Sequence, residues 1–134
     1  IYLDANRPPD DLDPSMQFGA DAGAANQKGA KGIGLIWTVA PDQSPLYDRP
    51  LSQREVRNRI EQYWAPYHAT LESLLVERYR EFGSVWHVDC HSMPGTGTRI
   101  MGDFGKPRPD FIIGDREGTT CSADFTNLIV ESLR

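Results

Sequence analysis

Trp86-His87-Val88-Asp89-Cys90-His91-Ser92-Met93-Pro94 is the stretch that decides how this chain is read. An apolar, β-favouring approach ends in Asp-x-His-Ser, and Met-Pro-Gly then stops the strand. Alternate side chains of a strand share a face, so Asp89 and His91 point one way together with His87, while Val88 and Cys90 point the other. A carboxylate and an imidazole at a strand's carboxyl end, ahead of a Gly-rich loop, occupy the place where open α/β sheets bind ligands. A neutral imidazole there binds a metal or moves a proton. Asp89 and His91 are the candidate catalytic pair, and His91 is the candidate metal ligand. The alternative is a strand-end histidine that only caps a loop.

Outward from this stretch, residues 84–90 read as a central buried strand, with Cys90 a core thiol. Upstream lies the firmest element. Ser52 with Glu55 three residues on forms a capping box. Val56, Ile60, Tyr63, Tyr67, Leu71 and Leu74, with Leu75, then recur at helical spacing, which predicts one core-facing stripe. Pro66 inside that stripe predicts a kink or a split, which would aim His68 toward the strand ends. Gly83 is a natural stop. Residues 1–4 and 34–39 read as further strands, residues 8–32 as a long loop, 111–114 as another short strand, and Ser122 onward as a last helix. Strands separated by a long helical crossover predict a mixed, largely parallel sheet covered by helices, an α/β fold.

The 134 residues suffice for one domain, 1–134. A net charge of −5 argues against a nucleic-acid surface, and no apolar run approaches a membrane span. It leaves room for an anionic small substrate held by one or two local arginines. Two cysteines make no disulfide framework, which suits a reducing cytoplasm. Both ends read as cut, in mid-strand at Ile1 and in an uncapped helix at Arg134. The chain is therefore expected to be an internal piece of a longer domain.

Arginine forks bind carboxylates in a bidentate way. Arg7, with Asn6 beside it, follows a strand, and Arg108 and Arg116 flank residues 111–114. Arg7, Asn6, His68, Arg108 and Arg116 are the candidate substrate-binding residues. For each the alternative is an ordinary surface or turn role. In a parallel sheet, Arg7 and His91 would gather on one edge.

Together, Asp4-Ala5-Asn6-Arg7-Pro8-Pro9, Gly34-Leu35-Ile36-Trp37, Pro45-Leu46-Tyr47-Asp48-Arg49-Pro50-Leu51, Tyr63-Trp64-Ala65-Pro66-Tyr67-His68, Val88-Asp89-Cys90-His91-Ser92-Met93 and Arg108-Pro109-Asp110-Phe111-Ile112-Ile113-Gly114-Asp115 resemble the N-formylglutamate amidohydrolase family. The resemblance implies a zinc-carboxypeptidase-like (phosphorylase/hydrolase-like) fold, truncated at both ends, of which 1–134 is the middle portion. It implies hydrolysis of N-formyl-L-glutamate to formate and L-glutamate, a step of histidine degradation, assisted by zinc. Asn6 and Arg7 then match the pair that holds a substrate carboxylate, and His91 the third zinc ligand. The first two ligands and the general-base glutamate would lie outside this chain, so an incomplete zinc site and an inactive fragment are expected. The alternatives are a related amidohydrolase or metallocarboxypeptidase acting on another acyl amino acid, and an inert binding module.

Overall fold

In a computed structural model, residues 2–17 and 28–133 are described. Part of the expected long loop, residues 18–27, and the first and last residues of the chain lie outside them. The chain divides into two compact units, Ile1–Ser84 and Val85–Arg134.

The first unit is organised by one interrupted helical run. Helix α1, Gln53–Arg59, starts on Ser52, whose hydroxyl accepts from the Glu55 N–H while the Glu55 carboxylate accepts from the Ser52 N–H, the expected capping box. A π-helical turn, Ile60–Trp64, follows, and α2, Ala65–Phe82, carries Pro66 in its first turn. The Ala65 N–H reaches back five residues to the Ile60 carbonyl. Pro66 has no N–H to donate, and the wider turn ahead of it absorbs that loss. Gly83, at φ 72°, ends α2 with its N–H on the Tyr79 carbonyl.

The π-turn corrects the expected stripe. Tyr63 and Tyr67 are 52% and 44% exposed, and the half-buried residues along this stretch are Trp64, His68, Leu71 and Leu75. One extra residue in the turn moves the inward position from 63 to 64 and from 67 to 68.

Leu12, Met16, Leu35, Ile36, Leu51 and Val56 form the core, with Leu3, Tyr47, Ile60 and Trp64 packed against it. Turns rather than strands carry the chain into this core. The Asp11 carbonyl accepts from the Leu35 N–H at 2.6 Å, and its buried carboxylate accepts from the Gly29 N–H at 2.7 Å. Asp4 N–H donates to the Leu35 carbonyl at 2.7 Å. Gly34 permits this closeness, because a Cβ there would collide with the Asp11 backbone oxygen.

In the second unit, helix α3, Ala123–Ser132, starts on a Ser122 cap. Trp86 stacks on Phe125 of α3 with ring centroids 5.3 Å apart.

The expected α/β fold with a largely parallel sheet does not form among the described residues. Among the described residues, extended backbone pairs only at the isolated antiparallel bridges Ile33–Trp37, Val39–Pro45 and Thr96–Pro107. Residues 84–90 and 111–114 are not strands, and Trp86, Val88, Phe111 and Ile112 are exposed. Strand propensity measures fit to a pleated surface that neighbouring strands must supply. These segments have the side chains for such a surface but no paired neighbour. Cys90 is accordingly exposed, not a core thiol. With no sheet among the described residues, the sheet-edge argument for gathering Arg7 and His91 also falls away.

Candidate functional site

The candidate residues fall into both units: Asn6, Arg7 and His68 in the first, and Asp89, His91, Arg108 and Arg116 in the second.

Asn6 and Arg7 sit in a tight turn. The Asp4 carboxylate accepts from the Asn6 N–H at 3.1 Å, and the Arg7 N–H donates to the Asp4 carbonyl at 3.1 Å. This is an aspartate-anchored turn, in which a short carboxylate side chain satisfies backbone two residues on. Arg7 Nε lies 3.7 Å from Asp4 Oδ2, beyond hydrogen-bond length, and the Arg7 side chain is 32% exposed. That Nε is buried and has no hydrogen-bond partner. Nearby, the Lys28 ammonium is held below the ordinary lysine range. Partial burial is the main cause, followed by the positive charges of Arg7 and Lys31, with Asp11 opposing them.

The helical run grips this turn through two carbonyls and the segment leading into it through a third. Arg59 Nη1 donates to the Tyr2 carbonyl at 3.0 Å, Trp64 Nε1 to the Arg7 carbonyl at 2.8 Å, and His68 Nε2 lies 2.8 Å from the Ala5 carbonyl. A carbonyl only accepts, so His68 carries its proton on Nε2. The His68 and Trp64 rings pack with centroids 4.1 Å apart. Arg59 also donates to the Tyr47 hydroxyl at 2.9 Å and lies 4.0 Å over the Tyr2 ring.

In the second unit, Asp89 and His91 do share a side, although no strand forms there: Asp89 Oδ2 is 3.3 Å from His91 Nε2. The pair stands on an exposed, unpaired segment rather than at the end of a buried strand. Arg108 is already engaged. Its Nε and Nη2 form a fork on the Asp103 carboxylate at 2.8 and 3.0 Å, and its side chain is 14% exposed. Asp103 also accepts from the Thr98 N–H at 3.0 Å. These contacts, Arg108 first, hold the Asp103 carboxyl below the usual carboxylate range. They clasp the loop over residues 94–108, where a Cβ on Gly97 would collide with the Asp103 backbone oxygen. Arg116 lies on an exposed turn with φ 50°, followed by Glu117 at 61° and Gly118 at 77°. Asp115 serves that turn, as its Gly-Asp-Arg-Glu-Gly composition implies, through Thr119, Thr120 and Thr126.

No three His, Cys, Asp or Glu side chains among the described residues form a group that could hold a metal ion. Catalytic zinc takes about three protein ligands, of which the resemblance implies one in this chain, His91.

Sequence reasoning missed Arg59, Trp64 and Asp103. Pro66 was the available signal for Trp64, since a proline inside a helical stripe forces a local change of register. Nothing local marked Asp103 as the partner of Arg108.

Comparison with known proteins bears on the whole chain. The family model for N-formylglutamate amidohydrolase matches residues 1–134. An N-formylglutamate deformylase of Pseudomonas putida is 31% identical over 123 residues, which is 90% of this chain and 40% of that protein. A crystal structure of N-formylglutamate amidohydrolase from Ralstonia eutropha JMP134 superposes with a TM-score of 0.85 at 41% identity, over 99% of this chain and 49% of that one. The chain thus spans about half or less of the length of these relatives.

Proposed function

The chain belongs to the N-formylglutamate amidohydrolase family, and from that membership we propose that its protein hydrolyses the amide bond of N-formyl-L-glutamate, with water, to formate and L-glutamate. The family match across residues 1–134 carries the proposal. The Asn6–Arg7 turn supports it. Arg7, whose Nε stands 3.7 Å from the Asp4 carboxylate and so beyond hydrogen-bond length, has a fork to offer a substrate carboxylate. The Asn6 amide beside it adds a donor and an acceptor.

In this reading Arg7 and Asn6 bind and orient the glutamyl part. Arg108, forked onto Asp103, shapes its loop instead, and Arg116 remains a weaker candidate for the second carboxylate. His91 is the residue of this chain that would touch a zinc ion. Asp89, at 3.3 Å, would orient its imidazole. Zinc, when bound, would lower the pKa of a water molecule. Among the described residues no helix is long and apolar enough to cross a membrane, and we place the reaction in the cytoplasm as part of the same proposal.

The test is to incubate the intact protein with N-formyl-L-glutamate and measure formate and L-glutamate. Equimolar release of both supports the proposal. Turnover confined to N-acetyl or N-aspartyl analogues would replace it with a related amidohydrolase. No turnover of any acyl amino acid would leave a binding role.

A further inference from the structure

We propose, building on the role given to Arg7 above, that Trp64 and His68 are positioning residues that fix Asn6 and Arg7 for an anionic acyl amino acid. The Ala5 carbonyl belongs to the peptide plane that leads into Asn6, and the Arg7 carbonyl to the plane that leads out of Arg7. His68 holds the first at 2.8 Å and Trp64 the second at 2.8 Å. The two side chains therefore bracket the Asn6–Arg7 pair through backbone oxygens, and neither bond uses the Asn6 or Arg7 side chain. Both donors are rigid rings packed against each other at 4.1 Å, so little freedom is lost when they bond. Pro8, with its fixed φ, stiffens the exit from the turn.

The π-turn makes the bracket possible. Residues five apart in an α-helix lie about 140° apart around the axis. The Ala65 to Ile60 bond closes a wider turn, which brings Trp64 round to the side of Arg59. His68 then follows four residues on, on the same face. Arg59, Trp64 and His68 are thereby aligned on the carbonyls of Tyr2, Arg7 and Ala5. π-Turns recur at functional sites because they re-aim side chains in this way.

The experiment compares Trp64→Phe, His68→Phe, His68→Gln, Arg7→Ala and the Trp64→Phe/Arg7→Ala double variant in the intact protein. Its readouts are KM and kcat for N-formyl-L-glutamate, calorimetric binding of L-glutamate, and Tm. Trp64→Phe and His68→Phe are expected to raise KM and weaken glutamate binding about five- to ten-fold, the worth of one hydrogen bond, with kcat within about two-fold. His68→Gln keeps a donor and is expected to recover most of the loss. Trp64→Phe is expected to add nothing once Arg7 is Ala, because it acts through Arg7. Lower Tm with unchanged binding, effects on kcat alone, or multiplying effects in the double variant would overturn the proposal. If Arg7→Ala weakens binding while the ring variants do not, positioning fails and the Arg7 role stands. If Arg7→Ala itself changes nothing, the Arg7 role fails and the bracket has no purpose. A protein that neither hydrolyses N-formyl-L-glutamate nor binds L-glutamate would overturn both.

Discussion

Gly34 has no room for a side chain, because a Cβ there would meet the Asp11 backbone oxygen. Gly34→Ala is expected to destabilise the protein by about 1–3 kcal/mol, the usual cost of overpacking, read by denaturant titration. Glu55 makes a different point. Its carboxylate takes both terminal nitrogens of Arg49, at 2.8 and 3.0 Å, and the Ser52 N–H and hydroxyl at 2.8 and 2.7 Å. Arg49 first, then Ser52, hold its carboxyl far below the usual range. A depressed folded-state pKa stabilises above the unfolded value, roughly 4, and that contribution is lost as pH falls through the folded value. Glu55→Gln is therefore expected to lower Tm at neutral pH, with the difference from the parent shrinking steadily in acid; a pH-independent difference would refute the linkage. The capping box was legible because Ser52 and Glu55 lie three residues apart. The Asp103–Arg108 fork was not, because a carboxylate five residues away meets its arginine only after the loop has closed.

The π-turn shows what a periodic pattern conceals. The apolar series from Val56 to Leu74 fits an α-helix without a break, yet Tyr63 and Tyr67 are exposed and Trp64 and His68 face inward. Deleting Gln62 would return the turn to α-geometry and keep Trp64 on the face of Arg59, now four residues on. It would also leave Pro66 inside a regular helix, where its ring meets the carbonyl four residues back. The single deletion is expected to cost about 3 kcal/mol more than the same deletion combined with Pro66→Ala. Both variants are to be measured by chemical denaturation. Equal stabilities would mean that the proline is not what the π-turn accommodates.

Across the whole molecule, the described residues assemble no group of three metal-ligating side chains. The 134-residue chain is expected to retain well below one zinc per chain after dialysis, by elemental analysis. Stoichiometric zinc would show that the ligands come together after all. What the sequence determined by itself was local or motif-bound: the capping box, the Gly83 stop, the break at Pro66, the shared side of Asp89 and His91, and the family. Each depends on residues a few positions apart, or on motifs whose order along the chain is itself the signal. The tertiary structure alone decided that residues 84–90 and 111–114 stay unpaired, that Arg108 belongs to Asp103, and that Trp64 and His68 hold the Asn6–Arg7 turn. The Arg108 fork forms only once its loop has closed, and Trp64 and His68 meet carbonyls 57 and 63 positions away, of which propensity carries no record.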